Sequence, residues 1–153
     1  MKYLFLLMLP LTMSCDFTFR KTDERVNALN EMQQSDVDFS NLAKDKGFRK
    51  AFLEYIEEDG VLLRDNHMPI IGADAIEYIS SINDSTFSMV WEPQGGDVSE
   101  SGDLGFTYGL YVLSTDSTEQ KGSYVTVWRR QKDGKWKFLL DAGTQGLGEA
   151  VKE

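Results

Sequence analysis

Two side chains in the second half of the chain could transfer protons. Asp141 follows three apolar residues, 138–140, at the end of a strand-like segment, and apolar surroundings suit a carboxylate to the role of general base. Tyr108 lies in the alternating segment 104–112, whose even positions are all large and apolar. We therefore expect the even positions to face the core and the Tyr108 hydroxyl to point inward. A donor there would stabilise negative charge developing on a substrate oxygen.

Both residues also have a structural interpretation. Strict alternation places Asp141 on the face opposite Phe138 and Leu140, unless a β-bulge intervenes. A buried tyrosine could equally bond a carbonyl of the core. The sequence leaves these alternatives open.

Aromatic and acidic residues elsewhere are candidates for ligand contact. Trp91 and Trp128 combine an indole donor with a large apolar surface, which suits a pocket wall, a core or an interface. Asp59 could lie at a cavity mouth as a base or as a pairing partner for Arg64, or it could belong to a solvated acidic helix end. His67 is expected in a surface turn, and a catalytic role would require that turn to fold over a cavity. The predicted ligand contacts are Tyr55, Asp59, Trp91, Phe106, Tyr108, Trp128 and Asp141.

The elements that must position these residues are helices first and strands afterwards. Apolar spacing predicts one long or broken helix from Thr22 to residue 43, a second over 48–58 that ends at Gly60, and a third opening at 72–74. We expect Phe52 and Ile56 of the second helix to share one wall with Phe106 and Tyr108. The predicted strands are 61–63, 70–71, 87–92, 104–114, 123–131 and 135–142. This order, with helices first and a strongly turned antiparallel sheet afterwards, predicts an α+β domain.

Composition restricts the class of protein. The chain has 153 residues, with 25 acidic against 16 basic side chains and a net charge of −9, which fits one domain and disfavours nucleic acid as a partner. One cysteine excludes an internal disulfide framework, and one histidine argues against a metal centre. We expect no metal and no cofactor.

The N-terminal segment predicts where the protein is located in the cell. Lys2 and the apolar segment 3–11 are typical of a secretion signal, which we expect to span residues 1–14. Ser14 and Cys15 then resemble a bacterial lipobox, although Thr12 and Met13 depart from its usual pattern. The prediction is acylation of Cys15 and a lipid anchor in the bacterial cell envelope; the alternative is an ordinary signal peptide that leaves a free thiol. Residues 15–21 would be a tether, 22–143 the domain and 144–153 a flexible tail.

Several motifs together resemble the nuclear-transport-factor-2-like superfamily, in its SnoaL-like branch of uncharacterised proteins. They are residues 51–63, 69–76, 91–93, 101–109, 124–130 and 136–141. The resemblance implies a cystatin-like cone, in which three helices are wrapped by a curved antiparallel sheet and a cavity opens at the wide end. This fold hosts isomerases, cyclases, dehydratases and binding modules, so it does not specify an activity.

The ketosteroid isomerases of this superfamily allow a direct check. The resemblance places their catalytic base at Leu63 or Arg64, and neither side chain can remove a proton from carbon. Their acidic oxyanion donor falls within 123–127, where only Ser123 and Thr126 are polar. Steroid isomerisation is therefore not expected.

The expected function is binding of a small, mainly apolar ligand in the cone. One alternative is a cofactor-independent isomerase, cyclase or dehydratase that uses Asp141 or Asp59 with Tyr108. The other is an interaction module that forms a homodimer through its sheet.

Overall fold

The computed structural model describes residues 15–148, so the predicted signal segment and the last five residues of the tail lie outside the described part of the chain. Its helices are α1 (Cys15–Lys46), α2 (Phe48–Tyr55) and α3 (Ala73–Ser81), followed by a 3₁₀ turn at Asp84–Thr86. Its strands are β1 (Ile56–Leu63), β2 (Ile70–Ile71), β3 (Phe87–Val98), β4 (Leu104–Thr115), β5 (Glu119–Arg130) and β6 (Trp136–Gln145). Within residues 15–148, no helix has the length and apolar character needed to cross a bilayer.

The six strands form one sheet in the order β2-β1-β6-β5-β4-β3, with the helices packed against it. Four of the neighbouring pairs are antiparallel, as predicted, but β1 pairs with β6 in parallel. The sheet is therefore mixed, because β1 enters it directly from α2 and runs in the direction of the closing strand. The predicted α+β architecture is confirmed.

Helix α1 is a single helix of 32 residues. It begins at Cys15 rather than Thr22, so the expected tether 15–21 is helical, and Ser35 and Asp36 do not interrupt it. Asp36 is completely buried and forms hydrogen bonds with side chains of the sheet. The polar residue on the apolar face is therefore a buried contact and not a break.

The boundary between α2 and β1 also differs from the prediction. Helix α2 ends at Tyr55, and the residues expected to continue it already belong to β1. Buried Glu57 accepts from Arg129 Nη1 at 2.9 Å and from Gln131 Nε2 at 2.5 Å, which holds the segment in the sheet. Gly60 is a buried strand residue whose carbonyl accepts from the Gly72 amide, so it is not a helix cap.

The expected orientation of β4 is wrong. Gly105, Thr107 and Gly109 face inward, whereas Phe106 is 42% and Tyr108 49% exposed on the outer face of the sheet. A side chain on Gly105 would collide with the sulfur of Met32 in α1. The helix lies so close to the strand that only small residues fit between them.

The core lies between the helices and the inner face of the sheet. Phe39 of α1 is at its centre, with its ring centroid 4.8 Å from that of Phe52, 5.7 Å from that of Phe138 and 6.1 Å from that of Trp128. Phe52 and Ile56 are buried in this cluster, as predicted, but the outward Phe106 and Tyr108 do not share their wall.

Candidate functional site

A cavity of about 420 Å³ opens between the helices and one end of the sheet. Its apolar wall is rich in aromatic rings and is supplied by all three helices and by β3 and β4. These residues are Phe39, Phe48, Phe52, Tyr78, Ile82, Phe87, Met89, Trp91 and Leu113. Strands β4, β5 and β6 and the turn after β1 supply its polar side, which consists of Arg64, Asp65, His67, Tyr111, Tyr124, Thr126, Asp141 and Gln145.

A β-bulge turns Asp141 into this cavity. The pairing of β5 with β6 jumps from Val127 opposite Leu140 to Trp128 opposite Phe138, which leaves Leu139 as the extra residue. The bulge reverses the alternation, so Phe138 and Asp141 both point inward. Asp141 is only 8% exposed and lines the cavity. The β-bulge that an inward Asp141 requires is therefore present in the structure.

Both carboxylate oxygens of Asp141 have a partner. Arg64 donates from Nη2 to Oδ1 at 2.6 Å and from Nη1 to the Asp141 carbonyl at 3.1 Å. Thr126 donates its hydroxyl to Oδ2 at 2.9 Å. Arg64 also lies against the aromatic wall, with its guanidinium carbon 5.8 Å from the Phe52 ring centroid. Asp141 is therefore a paired carboxylate.

A second buried carboxylate, Asp36 of α1, lies behind the cavity wall. Trp91 donates its indole N–H to Oδ1, and Tyr124 donates its hydroxyl to Oδ2, each at 2.8 Å. Burial raises the pKa of Asp36, while hydrogen bonds from Thr107, Tyr124 and Trp91 act in the opposite direction. Burial and the negative charge of Asp36 raise the pKa of Tyr124, so this phenol keeps its proton.

Ser40 completes the attachment of Trp91 to α1. Its hydroxyl accepts from the Trp91 amide at 2.9 Å and donates to the Trp91 carbonyl at 2.7 Å. Because β3 is an edge strand, these main-chain groups have no further strand to pair with. Asp36 and Ser40, one helical turn apart, therefore fix Trp91 as a wall of the cavity.

Of the predicted ligand contacts, the structure brings Trp91 and Asp141 to the cavity and places the others elsewhere. Phe106 and Tyr108 are on the outer face of the sheet. Trp128 is fully buried in the core and donates to Thr107 Oγ1 at 2.8 Å. The sheet therefore separates Tyr108 from Asp141.

Tyr55 and Asp59 lie outside the cavity wall. Tyr55 is half-buried and its ring stacks on Phe39 at 4.8 Å. Asp59 is exposed on β1 and does not pair with Arg64, which binds Asp141 instead. Asp59 therefore lies neither at a helix end nor in the cavity lining, because the chain already forms β1 there.

The turn that contains His67 contributes to the lining of the cavity. The His67 ring lies 5.5 Å from the Tyr78 ring, and Nδ1 is 2.9 Å from the Asp65 carbonyl oxygen. Leu63 is partly exposed and does not line the cavity, whereas Arg64 does. No group of three or more potential metal ligands comes together among residues 15–148.

Sequence reasoning missed Asp36 and Tyr124. The available signal was an acid on the apolar face of α1, four residues after Met32 and three before Phe39. Its partners Trp91 and Tyr124 lie 55 and 88 residues further along the chain, so no local pattern connects them.

Comparisons with known proteins establish the fold. No family model matches the chain, and no curated protein matches it. A nuclear-transport-factor-2-like protein with a cystatin-like fold from Novosphingobium aromaticivorans is 17% identical, with a TM-score of 0.65 over 92% of this chain and 95% of that one. A ketosteroid isomerase-like protein from Erwinia carotovora is 17% identical, with a TM-score of 0.62 over 76% of this chain and 95% of that one.

A third similar structure is a scytalone dehydratase-like protein from Novosphingobium aromaticivorans. It is 16% identical, with a TM-score of 0.64 over 86% of this chain and 93% of that one. Identities this low carry no activity from one protein to another. The structural matches show the fold alone, which for this chain is an α+β, cystatin-like fold.

Proposed function

We propose that this protein binds a small, mainly apolar molecule in its cavity. The observation that carries the proposal is an aromatic pocket of about 420 Å³ whose polar groups come from β4, β5, β6 and the turn after β1. Ligand sites are usually concave, mainly apolar and about 300–1,000 Å³, with a few placed polar groups that fix orientation. The aromatic wall would bury the body of the ligand, and the polar side would orient it.

Two observations favour binding over catalysis. Asp141 is engaged by Arg64 and Thr126, so it is not a free base. The donor expected to act with it, Tyr108, is on the other face of the sheet. A cofactor-independent isomerase, cyclase or dehydratase remains the alternative, and it would require a substrate to displace Arg64 from Asp141.

Native mass spectrometry of the protein purified from its own membrane tests the proposal. We expect a retained small molecule in the parent. Phe52→Trp, which would narrow the cavity, should reduce the retained mass, whereas Leu110→Trp on the outer face of the sheet should not. An equal adduct in both variants would place the molecule outside the cavity.

We propose that the protein is located in the bacterial cell envelope, with Cys15 as the lipid-anchored residue. The apolar segment 3–11 and the Ser14-Cys15 pair support it. Cys15→Ala should move the protein from the membrane to the soluble fraction. Unchanged fractionation, or an N-terminal peptide without acyl mass, would contradict lipid anchoring.

A second candidate function concerns the outer face of the sheet. Leu104, Phe106, Tyr108, Leu110 and Val125 expose between 36% and 49% of their surface there. Contiguous apolar surface of this kind marks interaction sites. We propose that it supports a homodimer.

A further inference from the structure

Two hydroxyl groups on the polar side of the cavity already donate their hydrogen atoms to carboxylates. Tyr124 donates to Asp36 at 2.8 Å, and Thr126 donates to Asp141 at 2.9 Å. A hydroxyl has one hydrogen and two lone pairs, so both groups offer the cavity only an acceptor. Asp141, which lies opposite Thr126 in the sheet, is an acceptor as well.

The direction of the Tyr124 hydrogen bond is set by the rest of the network. Trp91 also donates to Asp36, and an indole N–H cannot accept. Asp36 therefore receives hydrogen bonds from its neighbours and holds the Tyr124 hydrogen away from the cavity.

Arg64 supplies hydrogen-bond donors next to these acceptors. Its Nη1 and Nη2 atoms donate to the Leu63 carbonyl and to the carbonyl and carboxylate of Asp141. These are three hydrogen bonds, whereas a guanidinium has five N–H groups. The cluster of Tyr124, Thr126, Asp141 and Arg64 thus combines three acceptors with the remaining N–H groups of one arginine.

The complementary ligand group must both donate and accept. A ketone or an ether has no hydrogen to donate, and an ammonium group has no lone pair for Arg64. A charged group would also meet the Arg64–Asp141 pair, whose two charges already balance. An uncharged hydroxyl satisfies both requirements.

We propose that the ligand is an uncharged alcohol or phenol with an apolar body. Its hydroxyl donates to the acceptor cluster of Tyr124, Thr126 and Asp141, and its oxygen accepts from Arg64. This ligand class rests on the proposed binding function and narrows it from any small apolar molecule to one with a hydroxyl group.

Isothermal titration calorimetry with three probes of similar shape tests the ligand class. The probes are β-naphthol, its methyl ether and acetylnaphthalene, of which only the first can donate a hydrogen bond. We expect β-naphthol to bind roughly tenfold more tightly than the other two, the effect of one well-placed hydrogen bond. Tyr124→Phe and Thr126→Val should reduce this preference, while the outer-face control Tyr108→Phe should leave it unchanged.

Asp36→Asn provides a reversal test. The asparagine amide can donate to the Tyr124 oxygen, which frees the phenol hydrogen to point into the cavity. We expect this variant to bind acetylnaphthalene more tightly than the parent does, and β-naphthol more weakly. If Asp36→Asn does not fold, the affinities of Tyr124→Phe and Thr126→Val for the three probes test the ligand class by themselves.

The outcomes separate the ligand class from the binding function. Equal affinity for the three probes, or a preference for the ketone in the parent, would overturn the hydroxyl assignment and leave cavity binding intact. Absence of binding by all three probes would contradict both.

Discussion

Over residues 104–110, the two faces of strand β4 differ in residue size and in what they contact. The inner face carries Gly105, Thr107 and Gly109, all buried, whereas the outer face carries Phe106 and Tyr108, which are 42% and 49% exposed. The small residues are inside because α1 and the neighbouring strands leave no room for larger ones. The space left by α1 and the neighbouring strands, rather than side-chain hydrophobicity, therefore determines which face of residues 104–110 is buried.

The largest expected effect is on the inner side of the sheet. Phe52→Ala removes a 3% exposed ring that contacts Phe39, Phe48 and Phe138, and it should lower the free energy of unfolding by about 3–5 kcal/mol. Phe106→Ala on the outer face is the matched control, with an expected loss of less than about 1 kcal/mol. Urea unfolding measures both, and equal losses would erase the distinction between the faces.

The glycines of β4 should be intolerant of even one methyl group. A Cβ on Gly109 would meet the carbonyl of Glu92 and the ring of Tyr124, neither of which can move without disturbing the sheet. Gly109→Ala should therefore cost about 1–3 kcal/mol, the usual range for overpacking. Gly134→Ala serves as the control for added volume, because no atom lies within 4 Å of its Cβ position, although its φ of 88° adds strain there. A Gly109 variant with the parent's melting temperature would mean that the inner face is loosely packed.

The sequence predicted much of the fold because its signals were local. The order of helices and strands, and the burial of Phe52 and Ile56, follow from apolar spacing along single elements. The orientation of β4 does not, because alternation defines two faces without saying which one lies against the helices. Only the approach of Met32 to Gly105, which is a contact between distant elements, decides it.

The candidate site was harder to predict for the same reason. Asp141 could be proposed from its apolar neighbours, but its inward direction depends on a bulge at Leu139 that no residue type announces. Asp36 and Tyr124 meet across 88 residues, so neither has a local pattern that reveals the other. The role of a residue whose partners are distant in the chain cannot be predicted from local patterns in a single sequence.

A smaller effect on stability is expected from Asp36, the buried carboxylate behind the cavity wall, and it should depend on pH. Burial raises the pKa of Asp36 in the folded protein above its ordinary value of 3.8, so the folded state binds this proton more tightly than the unfolded state does. The contribution of Asp36 to stability therefore falls as pH rises from that value through the folded pKa, and stays constant above it. Each pH unit between the two pKa values corresponds to about 1.4 kcal/mol.

Asp36→Asn removes this titration, so we expect the stability of the parent relative to the variant to decline with rising pH in that window. Urea unfolding of both proteins from acidic to neutral pH measures the difference. A relative stability that rises with pH would show that the hydrogen bonds from Trp91 and Tyr124 outweigh burial at Asp36. Thr126→Val, which leaves Asp36 untouched, controls for general changes near the cavity.

The smallest change in stability, and the clearest change in assembly, is expected on the outer face. Leu104, Phe106, Tyr108 and Leu110 lie along one side of β4, and Val125 of β5 is directly opposite Tyr108. Two copies that meet across this surface by a twofold axis would each cover the other's apolar side chains, because such an interface is self-complementary. Phe106→Lys would place a charge in the middle of it.

We expect Phe106→Lys to shift sedimentation velocity from dimer to monomer while thermal stability measured on the monomer changes by less than about 1 kcal/mol. The control is Glu58→Lys on the exposed part of β1, which also adds positive charge but lies away from the apolar surface. A parent that sediments as a monomer at all concentrations would contradict the homodimer. A variant that loses both assembly and stability would indicate instead that Phe106 supports the sheet itself, because burial between copies should not affect the folding of one copy.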